Sequence, residues 1–162
     1  MPVAVVTGAS AGIGLETAKG LAKKNFDLIL VSRSSKKLIA IKDELEAKYS
    51  IICDVFSYDL SLVKSNIEFH EEVVNKFRKI DVLINNAGAI FMDRTITVEG
   101  LEKTFALNHM SYFVLSNLFI ESFDSIKVIN VSSEAHRGIK LNLDDLQNSI
   151  CLLYTSPSPR DA

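Results

Sequence analysis

The chain has 162 residues, of which 48% are hydrophobic and 23% charged, and its formal net charge is −2. That length holds one domain with a substantial core, and the composition excludes a disordered or collagen-like chain. The charge leaves no basic footprint for nucleic acid or for an anionic membrane surface, and no apolar run approaches the roughly 18 residues of a membrane span. The opening MPVAVVTGAS carries neither a basic n-region nor a small-residue cleavage site, so no signal peptide is expected. Cys53 and Cys151 are too few and too isolated for a disulfide framework or a metal centre. A reduced, cytoplasmic protein is the expectation.

VAVVTG (3–8) is a β-branched run ending in glycine, which predicts a buried strand leading into a turn. GIGLETAKGLAKKN then places Ile13, Ala18, Leu21 and Ala22 near one helical face, with Lys23 and Lys24 at the end where cations suit the helix dipole. FDLILVS (26–32) predicts a second buried strand, and SKKLIAIKDELEAKY a helix with Leu38, Ile41 and Leu45 on one side. SIICDVFSY (50–58) and LSLVKSNIEFHEEVVNKFRK predict the third strand and helix. IDVLINNAG (80–88) is a fourth strand running into a turn. TVEGLEKTFALNHMSYFVLSNLFIESF predicts one long helix over 97–123, and SIKVINVSS (125–133) a fifth strand. Strands alternating with helices, without tight hairpin signals, predict parallel βαβ units. Right-handed crossovers then build a Rossmann-like, doubly wound α/β sheet with its site at the carboxyl ends of the strands.

TGASAGIG (7–14) falls between the first strand and the first helix, with Gly8, Gly12 and Gly14 in a G-x-x-x-G-x-G spacing. Glycines there let backbone approach a pyrophosphate, and the helix start supplies N–H groups and positive dipole. The candidate cradle is Gly8, Ser10, Ala11, Gly12, Ile13 and Gly14; a ligand-free tight turn is the alternative. At the end of the second strand, where an acidic side chain would bond a ribose 2′-OH, the chain has Arg33 between Ser32 and Ser34, with Lys36 and Lys37 behind. A guanidinium forks onto a phosphate that a carboxylate would repel, which favours NADP(H) over NAD(H). A solvated basic loop at the start of the next helix is the alternative.

TGASAGIG followed by NNAG (85–88) resembles the short-chain dehydrogenase/reductase family, in order, spacing and strand context. The resemblance implies that Asn86, Ala87 and Gly88 pass beside the adenosine ribose. It implies that Asp59, in YDLS with Leu60 beside it, bonds the adenine amino group; Asp54 is its rival. Asn108, in FALNHMSYFVLSN, matches the catalytic asparagine that distorts the long helix and supports a proton relay. In VINVSS, Ser133 matches the catalytic serine, Ser132 is a neighbour, and Val131 belongs to the cofactor wall. TVEGLEKTFALNHMSYFVLSNLF and VINVSSEAHRGIKLNLDDLQ look most like the retinol-dehydrogenase-like branch. Its implied reaction is hydride transfer between nicotinamide and a small-molecule carbonyl or alcohol substrate. His70, His109 and His136 are given no metal or catalytic role, since none has a His or Cys at ligand spacing.

The family's serine works with a Tyr-x-x-x-Lys pair, whose four-residue spacing puts both side chains on one helical face. After Ser133 the chain has one tyrosine, Tyr154, with Ser158 four residues on, and Pro157 and Pro159 forbid a regular helix there. The expectation is an incomplete NADP(H)-binding domain over 1–150, inactive by itself, with a non-native or disordered tail over 151–162. CLLYTSPSPRD, Cys151 to Asp161, resembles the translation of an adapter used in transposase-based sequencing libraries. A sheet ended early is expected to leave apolar surface bare. Two other functions stay open: a non-catalytic NADP(H)-sensing protein of the same fold, and an extended-type epimerase or dehydratase. Family members often pair through their fourth and fifth helices, which leaves a homo-oligomer open for the whole protein.

Overall fold

A computed structural model of the chain describes residues 1–134 and 143–147. Five strands form one parallel sheet: β1 (Val3–Thr7), β2 (Asp27–Ser32), β3 (Cys53–Ser57), β4 (Val82–Asn85) and β5 (Lys127–Asn130). Their order across the sheet is β3-β2-β1-β4-β5. Helices α1 (Gly12–Ala22), α2 (Ser35–Lys48) and α3 (Val63–Lys76) make the crossovers of the first four strands. The chain steps outward from β1 to β3, then returns past β1 to β4. That reversal opens a crevice at the carboxyl ends of β1 and β4, the place where such sheets take ligands.

Strands covered on both faces have no reason to alternate apolar with polar side chains, and these do not. Ala4, Val6, Leu28, Leu30 and Cys53 turn to one face and meet Ala18, Ala22, Leu38, Ile41 and Leu45 of α1 and α2. Val5, Ile29, Val31 and Leu83 turn to the other and meet Phe69, Val73, Leu115 and Phe119. β5 is the exception: Lys127, Ile129 and Asn130 are exposed while Val128 packs inward. Phe113 and Ile120 are also exposed. No helix among the described residues is long and apolar enough to cross a membrane.

The single helix expected over 97–123 is not what forms. Residues 97–102 make a turn in which Gly100 adopts φ +82° and its N–H donates to the Thr97 carbonyl. Helix begins only after Glu102, whose buried carboxylate accepts the N–H groups of Thr104 (2.9 Å) and Phe105 (2.8 Å). α4 (Lys103–Phe105) then widens into a π-helical stretch, Ala106–Met110, before α5 (Ser111–Ser122). The apolar spacing continues through Val98 and Leu101, but a helix stops where side-chain acceptors satisfy its first N–H groups. Glu99, freed by the turn, caps a different helix: it accepts from Val63 N (2.6 Å) and Lys64 N (2.9 Å) at the start of α3. The boundary expected at residue 150, the tail with Cys151 and Tyr154, and His136 lie outside the described residues.

α3 packs on α5 through Phe69, Phe119 and a buried imidazole. His70 Nε2 lies 2.9 Å from the Ser122 hydroxyl, and its ring meets Phe119 edge-on at 5.2 Å. Burial pushes the imidazole below the ordinary histidine value, against the opposing pull of the Leu118 backbone and of Glu71 and Glu121. The folded chain therefore holds His70 neutral, and the unfolded chain takes up the proton first. Its contribution is complete above the ordinary pKa of about 6.5 and is lost as pH falls from there through the lowered folded value. Urea midpoints should fall between about pH 7.5 and pH 5 more steeply for the unmodified chain than for His70→Gln. Equal slopes would show that His70 contributes nothing to the acid response.

Candidate functional site

The crevice is built on one hydroxyl. Thr7 ends β1, and its buried Oγ accepts the N–H groups of Asn86 (2.8 Å) and Ala87 (2.9 Å). The same hydroxyl donates to the Ile84 carbonyl (3.4 Å), and Asn86 Nδ2 donates to the Thr7 carbonyl (2.9 Å). The loops after β1 and β4 are thus one hydrogen-bonded unit, although the two segments are 79 residues apart. Gly8 and Gly14 fit into it with no space to spare. A Cβ on Gly8, at φ +67°, would come within 2.8 Å of Ala87 Cα; one on Gly14 would come within 2.4 Å of the Gly8 carbonyl oxygen. Gly12, at φ +55°, faces open space instead.

Above this floor lies a cavity of about 720 Å³. The glycine turn supplies Gly8, Ser10, Ala11, Gly12 and Ile13; the end of β2 and start of α2 supply Ser32, Arg33, Ser34 and Lys37. Tyr58, Asp59 and Leu60 follow from β3, Asn86 to Ala89 from β4, and Leu107 from the π-helical stretch. The first turn of α1 has neither a side-chain cap from Ala11 nor an acidic residue. Its leading N–H groups therefore lack the side-chain acceptors that Glu99 and Glu102 give α3 and α4.

Most of the residues expected from the sequence meet on this wall, and four do not. Gly14 is buried behind it, where its role is close packing of helix on turn. Asn108 sits within the π-helical stretch and is tied to the wall indirectly: its Oδ1 accepts from Ala89 N (3.0 Å) and its Nδ2 donates to Ala89 O (3.0 Å). Val131 N donates to the Asn85 carbonyl (2.8 Å) just past β5, and Ser133 is exposed two residues on. Ser32, Ser34, Lys37, Tyr58, Ala89 and Leu107 were not among the expected site residues. The run SRSSKK held the signal for Lys37, whereas Leu107 carries none, because only the widened helix turns it inward.

Asp59 and its rival Asp54 are separated by the fold. Asp59 lines the cavity, with Oδ1 accepting from Ser61 N (3.0 Å) and Ser61 Oγ (2.7 Å). Asp54 lies within β3 and pairs with Lys76. Arg33 is exposed and has no ion-pair partner among the described residues. The Tyr58 hydroxyl donates to Glu72; burial, reinforced by that carboxylate, pushes its pKa up to about 12. It stays protonated across the neutral range and serves as a fixed donor. Cys53, also buried, is likewise pushed up to about 12.

A glycine turn under the switch point of a parallel sheet, with a cation after β2 and an NNAG loop bonded to β1, is the arrangement of a Rossmann-like fold. Residues 2–140 match the family described as short chain dehydrogenase, and the chain belongs to that family. It is 34% identical over 157 residues to human polyprenol dehydrogenase, covering 92% of this chain and 48% of that one. It is 34% identical over 146 residues to human retinol dehydrogenase 13, covering 88% of this chain and 44% of that one. The chain spans about half the length of these relatives. Among solved structures, the alcohol dehydrogenase of Thermococcus sibiricus complexed with 5-hydroxy-NADP matches with a TM-score of 0.76 at 28% identity. That match covers 86% of this chain and 61% of the other.

The glycines separate by what surrounds them. Gly14→Ala drives a methyl into the Gly8 backbone and should cost about 1–3 kcal/mol or more in urea denaturation. Gly12→Ala has room and meets only the left-handed backbone penalty of about 1–2 kcal/mol. Equal losses, or a larger one at Gly12, would contradict the close packing at Gly14.

Proposed function

We propose that this chain is the NADP(H)-binding portion of an oxidoreductase that interconverts a small-molecule carbonyl and alcohol. The observation that carries this is one cavity with a glycine turn on one wall, a guanidinium without an ion-pair partner among the described residues on another, and no carboxylate at the end of β2. The donor set fits the cofactor: Gly12 leaves open the volume a side chain would fill, and α1 presents uncapped N–H groups beside it. Gly8, Ser10, Ala11, Gly12 and Ile13 would hold the pyrophosphate, with Gly14 keeping the turn closed on α1. Arg33 would bond the 2′-phosphate, Asp59 and Leu60 the adenine, and Asn86, Ala87 and Gly88 the ribose, with Val131 against the far end.

When bound, the cofactor supplies or accepts a hydride at its nicotinamide ring. Ser133 would donate a hydrogen bond to the substrate oxygen, and Asn108, fixed on Ala89, would support a proton relay beside it. Neither side chain is itself a proton donor of the strength the reaction needs. The chain contains no Tyr-x-x-x-Lys after Ser133, so a developing alkoxide would go unstabilised. That sequence fact favours a second reading, nucleotide binding without turnover, for the chain by itself. The buried, free Cys53 suits a reducing compartment such as the cytoplasm. Exposed Phe113 and Ile120 on α5 suit pairing of two copies in the whole protein.

Fluorescence titration tests the central point. The 162-residue chain should bind NADPH more tightly than NADH, and Arg33→Ala should remove most of that preference, on the order of tenfold. No carbonyl substrate should be reduced in the same assay. Tighter binding of NADH would overturn the cofactor assignment, and turnover would overturn the inactivity.

A further inference from the structure

The helices around the cavity begin in different ways. Ser34 caps α2 and Glu102 caps α4, each with its own side chain at the helix start. α3 begins after Leu62, whose side chain accepts nothing, and its first N–H groups go to Glu99 instead. That carboxylate stands 36 residues from Val63 and 35 from Lys64. A serine or aspartate in place of Leu62 would cap the helix locally. The distant cap also ties α3 to another part of the chain.

The tether acts on the cavity wall that precedes α3. Tyr58, Asp59 and Leu60 line the cavity, and the hydrogen bonds that follow them are local. Ser61 N and Oγ both donate to Asp59 Oδ1 (3.0 and 2.7 Å), and Leu62 N donates to the Asp59 carbonyl (3.1 Å). Asn66 Nδ2 donates to the carbonyls of Leu60 (3.0 Å) and Leu62 (2.6 Å). Segment and first helical turn therefore move as one body, and whatever fixes that turn fixes Asp59. Its Oδ2 has no hydrogen bond among the described residues.

Glu99 is itself held. Its turn is closed by Thr97 N to Leu101 O (2.8 Å), Gly100 N to Thr97 O (3.0 Å) and Leu101 N to Thr97 Oγ1 (3.2 Å). Lys103 N donates to Thr95 O (2.8 Å) across the neck. Glu102, in the same turn, is fully buried and starts the helix that leads to Asn108. One turn thus anchors the wall at Asp59 through one carboxylate and the helix of Asn108 through another.

We infer that Glu99 is a positioning residue for the cofactor: by capping α3 from a distance, it sets the Asp59 carboxylate where that group meets the adenine amino group. This rests on the function proposed above. Without the cap, two N–H groups at the start of α3 turn to water and Ser61 no longer holds Asp59 in one orientation. The loss falls on the contact that Asp59 makes, because a group that must be ordered on binding binds less tightly.

The experiment titrates NADPH and deamino-NADPH, whose purine carries a carbonyl in place of the amino group, into the 162-residue chain, Glu99→Ala and His70→Gln. His70 lies on α3 but not on the cavity wall, so its variant reports what general loosening of that helix does. The unmodified chain should prefer NADPH by on the order of tenfold, the effect of one hydrogen bond to a carboxylate. Glu99→Ala should cut that preference to within about twofold by weakening NADPH, while His70→Gln leaves it intact. Amide exchange at Val63 and Lys64 should quicken in Glu99→Ala and not in His70→Gln. An unchanged preference in Glu99→Ala would overturn the inference, as would equal weakening of both nucleotides or an equal fall in His70→Gln. Should Glu99→Ala not fold, Glu99→Gln keeps one acceptor oxygen and should roughly halve the preference; an unchanged ratio there sinks the idea. An unmodified chain that does not distinguish the two nucleotides would overturn the parent assignment of adenine to Asp59, and this inference with it.

Discussion

Everything at the site hangs on the junction between Thr7 and the Asn86–Ala87 backbone. A parallel sheet gives no hairpin to hold the ends of β1 and β4 together, because each strand runs on into its own crossover. The Thr7 hydroxyl closes that gap by accepting two backbone N–H groups and donating to the Ile84 carbonyl. Gly8 and Gly14 then pack against the junction at distances that leave no room for a methyl. The cavity floor is consequently rigid, and its walls are the more exposed loops after β2, β3 and β4.

The strand pattern was readable because both faces of the sheet are covered. VAVV (3–6) and LILV (28–31) are uninterrupted apolar runs, as strands buried on both faces require. The glycine turn, Arg33, Asp59 and NNAG were readable because their backbone or charge requirements are local. Part of what escaped was set by tertiary contact. Glu102 delays the start of the expected 97–123 helix by a local cap on Thr104 and Phe105, but Glu99 caps a helix 35 or more residues upstream. No short window of sequence contains Glu99 together with the start of α3. The distortion at Asn108 was expected from the family resemblance and takes the form of the π-helical stretch, where Asn108 bonds the backbone of Ala89; the place of Leu107 on the cavity wall was not.

The polar groups around the cavity divide into spent and available. Asp59 Oδ1, Asn86 Nδ2, Asn108 and the serine hydroxyls after β2 are engaged within the protein, where they fix loops. Arg33, Lys37 and the leading N–H groups of α1 are the groups left facing outward with positive character. A site so divided presents positive character at two separated points of one cavity.

The position of β1 also dictates an order of assembly. β1 and β2 pair across one short crossover, Val3 opposite Asp27, so the β1–β2–β3 half can organise from near neighbours. The opposite side of β1 must wait for Val82, and the Val3 N–H bond to the Asp81 carboxylate closes over 78 residues. Loop closure grows only slowly with length, by about 0.6 kcal/mol per doubling, so the cost is bearable, but it is met before any reward. A nascent chain emerging residue by residue therefore carries its central strand half-paired until the second half arrives.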